Sequence, residues 1–362
     1  MAIISDPSKF YQAALYTGND GTQAIVNDGN SDLQPDLVIM KTRNAGDLFR
    51  LYDSVRGANN GLVPNATDLE QTVANDGLTA FGSDGFTVVA GTDFGGGDYN
   101  QGSTNYIAYQ WKTGTAFSND ASATGVGTID SAGSVNTEAG IAIITHTGNG
   151  TANQSIAHGL GVKPDIIISK TRNATAQLWS VYHSSLGATK HGGLDRDNAF
   201  DTGTQYYADT EPTSAVFSVG TEAATNHSGT NLIHYLYANT ANNSFFSSGT
   251  YTGNGNAVGP YVYTGHQPAW ILLKWADGAE GWSIYDTTRN PINGPNDAFF
   301  VIDTVNSENV NTDDIDVFSN GFRTNRAHNR ANADGEPYVW WSFAKHPKVT
   351  EVSNGSIPGT GF

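Results

Sequence analysis

The chain has 362 residues, of which 35 are Asp or Glu and 18 are Lys or Arg, so its formal net charge is −17. This charge, without any basic run, argues against nucleic-acid binding, and the cysteine count of 0 excludes disulfides, thiol nucleophiles and thiolate metal sites. We also expect no membrane insertion and no secretory signal, because no apolar stretch approaches the roughly 20 residues that span a bilayer and the N-terminus lacks a basic start.

Short runs of β-branched and aromatic residues, bounded by Gly, Asn, Asp or Ser, recur along the chain. They include residues 37–40, 166–168, 215–219 and 270–273. Such runs are typical of strands separated by turns, and few segments show the 3.6-residue apolar period of an amphipathic helix. The sequence therefore predicts an all-β protein.

One series of sequence features occurs three times in the same order. Thr-Gly-Asn at 17–19, 147–149 and 252–254 is followed by a proline that has a lysine six residues later. These pairs are Pro35/Lys41, Pro164/Lys170 and Pro268/Lys274. Each series closes on a strand with alternating apolar residues, namely Ile107/Tyr109/Trp111, Ile233/Tyr235/Tyr237 and Val339/Trp341/Phe343. The chain is therefore built from an internal repeat.

The repeat predicts three tandem β-sandwich (jelly-roll-like) domains, each of about a hundred residues. We place them at residues 1–112, 113–241 and 242–348 and call them copies 1, 2 and 3; residues 349–362 form an irregular tail. Copy 3 is the most divergent. Within residues 114–140 we interpret 127–130 and 134–136 as a hairpin that leads into copy 2, with a flexible linker over the whole stretch as the alternative. The closing aromatic strands are expected to face the cores of their own copies.

The candidate chemical groups are better explained by structural roles. A metal site shared by the copies is excluded, because the counterparts of His183 are Asp53 and Asp286 and those of His234 are not histidines. A site private to copy 2 is the alternative, and we prefer neutral surface or core histidines. The acidic segments 195–201 and 313–316 lack EF-hand spacing and are interpreted as solvated turns. The glutamates fall at unmatched places in the three copies, so no catalytic pair is indicated. We predict no catalytic residue, no cofactor and no metal ligand.

The repeated lysines and tryptophans also have two interpretations. Lys41, Lys170 and Lys274 either touch a ligand or, as we prefer, extend to solvent or pair with a carboxylate. Trp179 and Trp282 either stack on sugar rings or fill the cores, and we favour the cores because both belong to the repeated scaffold.

Several motifs resemble a known but uncharacterised module. They are Phe10-Tyr-Gln-Ala-Ala-Leu-Tyr-Thr-Gly18, Asn30-Ser-Asp-Leu-Gln-Pro-Asp-Leu-Val38, Trp179-Ser-Val-Tyr-His183 and Leu186-Gly-Ala-Thr-Lys190. The chain is similar here to a β-rich repeat module of tail-fibre-like and other virion proteins of tailed, especially marine, bacteriophages. The resemblance covers residues 10–241 well and 242–348 more loosely. It implies a virion component and carries over no catalytic residue.

Two functional classes follow. The first is a non-enzymatic structural protein on the virion exterior, assembled in the host cytoplasm: a tail-fibre or appendage component or a head decoration that contacts other virion proteins. The alternative is a module that binds host surface glycan; a polysaccharide hydrolase ranks below both. The chain is expected to be a homo-oligomer or a pseudo-threefold monomer. We predict that copy 3 with its tail carries a protein contact and that Trp275 is partly exposed there; the alternative is that Trp270, Trp275 and Trp282 all fill the core of copy 3. A chain ending at residue 241 is then expected to stay folded but to fail to join the particle or its partner.

Overall fold

The protein is all-β, as its alternating apolar pattern predicts. The computed structural model describes residues 4–91, 99–174, 176–240 and 245–346, so the predicted tail lies outside the described residues. Within these ranges the helices are single turns. They are a 3₁₀ turn, Pro7–Lys9, and α1 (Ala121–Thr124), α2 (Thr204–Tyr207) and α3 (Ala223–Asn226).

The strands follow the repeat. Those of copy 1 are β1 (Tyr11–Thr17), β2 (Thr22–Ile25), β3 (Leu37–Thr42), β4 (Arg50–Asp53), β5 (Asn60–Gly61), β6 (Gln71–Thr72), β7 (Gly77–Gly82), β8 (Gly85–Val89) and β9 (Asn105–Trp111). Those of copy 2 are β10 (Thr115–Asn119), β11 (Ser131–Asn136), β12 (Ile141–Thr147), β13 (Gln154–Ala157), β14 (Ile166–Thr171), β15 (Ser180–His183), β16 (Lys190–Gly193), β17 (Asp201–Thr202), β18 (Val216–Val219) and β19 (Asn231–Tyr237).

Copy 3 completes the series with one long closing strand. Its strands are β20 (Phe246–Thr252), β21 (Tyr261–Tyr263), β22 (Gln267–Trp275), β23 (Ser283–Asp286), β24 (Asp297–Val301), β25 (Asn309–Thr312), β26 (Ile315–Phe318), β27 (Gly321–Thr324) and β28 (Pro337–His346).

The three copies share one strand order. The main sheet of each copy contains the run β1-β9-β3-β4, β12-β19-β14-β15 or β20-β28-β22-β23. Each copy also has a smaller sheet, with the order β2-β8-β7, β13-β18 or β21-β27-β26. In each of these sheets, the strand that follows β1, β12 or β20 pairs with the strand that precedes the closing strand. A hairpin does lie within 114–140, but its strands are β10 and β11, which pair antiparallel and extend the main sheet of copy 2. Residues 127–130, expected to form its first strand, lie in the connection between them.

Each copy has an apolar core between its main and smaller sheets. In copy 1, for example, Tyr106 and Ala108 of the closing strand lie in one cluster with Phe86 and Val88 of the smaller sheet. Copies 2 and 3 have matching clusters that contain Phe217 and Phe322.

The aromatic face of the closing strands does not lie in these cores. Ile107, Tyr109 and Trp111 join their counterparts in copies 2 and 3 in a single central cluster. The expectation that each set faces the core of its own copy is therefore corrected. A closing strand lies in the middle of its main sheet, so both of its faces are covered: one by the smaller sheet and the other by the neighbouring copies.

The prolines differ in position. Pro35 and Pro164 precede β3 and β14, whereas Pro268 lies within β22, at an irregularity in its pairing with β28. A proline is tolerated there because an irregular pairing does not need its missing N–H.

Candidate functional site

The three repeated lysines lie in the interior of the protein. Lys41, Lys170 and Lys274 are each fully buried. Burial lowers the pKa of each ammonium to about 8, so the cation is desolvated but still protonated at neutral pH. Extension to solvent, one half of the preferred interpretation, is therefore wrong. The other half, a neighbouring carboxylate, holds as an electrostatic influence that raises the pKa, from Asp47 on Lys41, Asp195 on Lys170 and Asp303 on Lys274.

Each lysine ammonium instead donates hydrogen bonds to backbone carbonyl groups of its own copy and of a neighbouring copy. Lys41 Nζ donates to Asp47 O at 2.6 Å and to Val305 O of copy 3 at 3.1 Å. Lys170 reaches Thr67 O of copy 1 at 3.0 Å, and Lys274 reaches Asp197 O of copy 2 at 3.2 Å. The contacts run in one cyclic sense around the central core: from copy 1 to copy 3, from copy 2 to copy 1 and from copy 3 to copy 2.

Four histidines of copy 2 are buried, namely His146, His158, His183 and His234, and desolvation lowers the pKa of each. His234 Nδ1 lies 2.8 Å from Ser169 Oγ, and its Nε2 lies 3.0 Å from His146 Nδ1. Desolvation lowers the pKa of His146 to about 3 and that of His158 to about 4. Ser169 and His234 are fully buried, so a substrate could not reach this serine. In the described part of the chain, no three His, Asp or Glu side chains are grouped so that they could hold a metal ion.

The acidic segments are engaged in structure. Asp314, in the segment predicted to be a solvated turn, is fully buried and accepts hydrogen bonds from Arg326 at 2.8 Å and Arg330 at 2.8 Å. That prediction is therefore wrong for Asp314. In the other acidic segment, Asp195 accepts a hydrogen bond from the Trp179 backbone N–H at 3.1 Å.

The predicted contact residue Trp275 lies at the end of β22 and is partly exposed. Its indole N–H donates to Glu336 at 3.0 Å, and its ring covers Gly278, where a side chain would collide with it. Trp270 and Trp282, which lie near it in sequence, are in the central core. Trp275 therefore has a defined position on the surface of copy 3.

A second feature of copy 3 is more exposed than Trp275. Tyr261 and Tyr263 of β21 are 47% and 56% exposed, because they point away from the core that Val262 enters. Across the smaller sheet, Tyr261 is opposite Arg323, and Tyr263 is opposite Gly321. We call the outer surface formed by Tyr261, Tyr263, Phe318, Asn320 and Arg323 the tyrosine face.

The tyrosine face is held together by its own contacts. The Tyr261 ring packs edge-on against Phe318 at 5.7 Å between centroids, and its hydroxyl donates to Asn320. The Arg323 guanidinium lies 5.7 Å from the Phe318 ring centre and donates to Asp316 at 2.7 Å. Gly321 has no side chain, and a Cβ there would lie 2.7 Å from the Tyr261 hydroxyl. The glycine thus lets the tyrosine lie across the sheet.

The sequence contains a signal for this face in the residues by which copy 3 differs from the other two copies. Ile25, Ile156 and Val262 pair with Phe86, Phe217 and Phe322 in equivalent registers. The residues on either side of them are Ala24 and Val26 in copy 1, Ser155 and Ala157 in copy 2, and two tyrosines in copy 3. Comparing the copies position by position would have shown the tyrosines to be peculiar to copy 3.

The fold and this surface define a class: an all-β protein in which three copies of one strand order share a central core, with an exposed aromatic face on the third. A family model described as a domain of unknown function (DUF7483) matches residues 6–347, so the chain belongs to this family. The match spans all three copies. No curated protein and no solved structure matches the chain. Within the described ranges, no helix is both long and apolar enough to cross a membrane.

Proposed function

We propose that this chain is a non-enzymatic structural protein on the exterior of a tailed bacteriophage particle, as a tail-fibre or appendage component or a head decoration. Two kinds of observation support the proposal. The motifs of copies 1 and 2 resemble a virion module, and the buried lysines and histidines serve the packing of the copies. Its partners would be other virion proteins, which the tyrosine face contacts.

The proposed contact rests on one observation, the distribution of exposed apolar side chains between the copies. Eight large apolar side chains are exposed in the described residues, and six belong to copy 3. The six are Val258, Tyr261, Tyr263, Ile292, Val305 and Val310. Tyrosine and arginine are enriched among residues that dominate protein–protein binding, and the tyrosine face has both. We therefore place the anchoring contact on copy 3.

We also propose that each copy is a two-layer β-sandwich fused to the other two through the central core. Each main sheet and its smaller sheet enclose an apolar cluster, which supports the sandwich description. The cyclic lysine contacts support a pseudo-threefold monomer.

Incorporation into particles tests the proposed contact. A phage that encodes Tyr261→Ser with Tyr263→Ser should incorporate at least about tenfold less of the chain, because two exposed aromatic anchors are lost. The matched control is Leu15→Ser with Val26→Ser, which removes two exposed apolar side chains of copy 1. Quantitative mass spectrometry of purified particles measures both. Normal incorporation of the double tyrosine variant would contradict the contact, and absence of the parent chain from particles would contradict the virion role.

The non-enzymatic part of the proposal has its own test. The purified chain should release no oligosaccharide from host polysaccharide, with or without added Ca²⁺ or Zn²⁺. Release that disappears when one carboxylate is mutated would contradict the proposal and favour a hydrolase.

Binding of host glycan is the second candidate function. It is favoured by one observation: a polar pocket of about 520 Å³ where copy 3 meets copy 1. That volume falls in the range of about 300–1,000 Å³ that is usual for small-molecule sites.

A further inference from the structure

The pocket between copies 3 and 1 mixes apolar and hydrogen-bonding surface. Phe299 and Val301 of β24 contribute apolar atoms, while Asn306, Ser307 and Asn311 contribute amide and hydroxyl groups. Sugars combine these two kinds of surface in one molecule, with C–H groups beside hydroxyl groups. The lining is therefore suited to a hydroxyl-rich ligand.

The wall of the pocket is fixed by contacts with copy 1. Val305 O accepts a hydrogen bond from the buried Lys41 ammonium, and Thr304 O accepts one from the Asn65 amide at 3.2 Å. Glu308 forms a two-point ion pair with Arg43, with distances of 2.6 and 3.1 Å. A preformed wall lowers the entropy cost of binding, because little has to be ordered when a ligand enters.

Arg330 is one of the residues that line the pocket. Its guanidinium lies 4.2 Å from the Phe299 ring centre, and Nη1 donates to Asp314 at 2.8 Å. These two contacts hold the arginine in a defined position in the pocket wall.

The charges that line the pocket are already paired. Glu308 is paired with Arg43 and lies 3.7 Å from Arg289, while Arg330 is paired with Asp314. A charged ligand would bring a charge with no counter-ion into this site, which is costly where water is partly excluded. The site therefore favours a ligand without net charge.

We propose that this pocket binds one neutral sugar residue of a glycan. The pocket-lining residues do not include those of the tyrosine face, so failure of sugar binding would leave the proposed contact with other virion proteins unaffected. The affinity for a single sugar is expected to be on the order of 1 mM, as the small size of such a ligand implies.

A blocking variant tests the proposal on the full chain. Gly46 lies at the rim on the copy 1 side, and a Cβ there would meet only Val305 O, at 3.4 Å. Gly46→Tyr should fill the rim without disturbing the fold. Gly21→Tyr is the matched control, because a Cβ at Gly21 has its nearest neighbour at 3.5 Å and Gly21 is not among the pocket-lining residues.

The probes are glucose, galactose, mannose and N-acetylglucosamine, with glucuronate as the charged comparator, and saturation-transfer NMR measures binding. We expect at least one neutral sugar to bind, with about tenfold weaker binding by Gly46→Tyr and unchanged binding by Gly21→Tyr. Absence of binding, tighter binding of glucuronate, or unchanged binding by Gly46→Tyr would overturn the proposal. If both glycine variants lose binding, Asn306→Ala with Asn311→Ala decides: loss of binding supports the pocket, and retention overturns it.

Discussion

Two of the three junctions around the central core contain a network of side-chain ion pairs, and the third has apolar or uncharged side chains at the equivalent positions. Where copy 2 meets copy 1, the Tyr235 hydroxyl donates to Asp53 at 2.7 Å, and Asp53 pairs with Arg56 at 2.5 Å. Arg56 then pairs with Glu70 at 3.1 Å, and Glu70 with Arg172 at 2.8 Å. Of these three ion pairs, Glu70–Arg172 crosses between the copies and the other two lie within copy 1, while the Tyr235–Asp53 hydrogen bond is the second link across the junction.

The junction of copies 1 and 3 repeats this network residue for residue. The Tyr109 hydroxyl donates to Asp286 at 2.9 Å, and Asp286 pairs with Arg289 at 2.5 Å. Glu308 lies 3.7 Å from Arg289 and 2.6 Å from Arg43.

The junction of copies 3 and 2 uses different residues at the same five positions. Trp341 and His183 replace the Tyr–Asp pair, with ring centres 6.2 Å apart. Leu186, Phe200 and Ala276 replace the Arg–Glu–Arg series, and all three belong to or pack against the central core. The backbone contact is retained, since Phe200 N donates to Ala276 O just as Glu70 N donates to Arg172 O.

The comparison shows that the five positions change together. A single charged residue left at the third junction would be buried without its partner, which costs several kcal/mol, whereas a complete exchange for apolar residues removes the desolvation cost as well. At each junction the fold is therefore compatible with a complete ion-pair network or with a complete apolar cluster at the five positions.

The largest expected effect comes from removing two junctions at once. A chain ending at residue 241 keeps only the junction of copies 1 and 2 and exposes the apolar face that copy 3 covers. Although the repeat alone led us to expect a folded fragment, the shared core leads us to expect aggregation or loss of the folded state. Gel filtration and circular dichroism at matched concentration measure this. A soluble monomer with a cooperative melt would show that copies 1 and 2 fold without copy 3.

Breaking one charged network is the next test. Asp53→Ala should lower the free energy of unfolding by about 3–5 kcal/mol, because it leaves the buried Arg56 guanidinium and Tyr235 hydroxyl without their shared carboxylate. Denaturant titration measures the change. The control is Asp68→Ala, an exposed aspartate of the same copy, for which we expect a change within about 0.5 kcal/mol. Equal effects of the two substitutions would mean that the network adds no stability.

The junction of copies 3 and 2 should lose stability when the pH is lowered. Desolvation lowers the pKa of His183 from 6.5 to about 4, so between these pH values the unfolded chain binds a proton that the folded chain does not. The free energy of unfolding therefore falls as the pH decreases, by about 1.4 kcal/mol per pH unit and on the order of 3 kcal/mol in total for this histidine.

His183→Gln should remove that part of the pH dependence, since glutamine is neutral throughout. His346→Gln, at an exposed histidine, is the matched control. Denaturation midpoints between pH 4 and 7 measure both variants. A slope that His183→Gln leaves unchanged would contradict a buried neutral imidazole at this junction.

The sequence predicted the repeat, the all-β class and the residues of the closing strands, because period-2 patterns and repeated prolines are local signals. It did not predict what those strands face. An alternating strand reports that one face is buried, but Tyr109 carries no mark of packing against Asp286, which lies 177 residues away. The correspondence of Asp53, His183 and Asp286 was visible in the sequence, yet their tyrosine and tryptophan partners come from other copies. The tyrosine face could not be predicted from the repeat for the opposite reason: its two tyrosines are peculiar to copy 3, whereas a repeat reports only what the copies share.

The smallest expected effect comes from exchanging a whole network. We expect the five changes Asp53→His, Arg56→Leu, Glu70→Phe, Arg172→Ala and Tyr235→Trp, which copy the third junction into the first, to cost less than about 2 kcal/mol together. Replacing buried ion pairs by apolar residues of matching shape is often neutral or stabilising, because the desolvation cost disappears with the charges. The same denaturant titration compares this variant with Asp53→Ala alone. If five changes cost more than one, the charged network supplies net stability that the apolar cluster cannot replace, and the two kinds of junction are not interchangeable. If the five changes together lower the free energy of unfolding by less than Asp53→Ala does, the stability of a junction depends on the completeness of its set of five residues, for the ion-pair network and the apolar cluster alike.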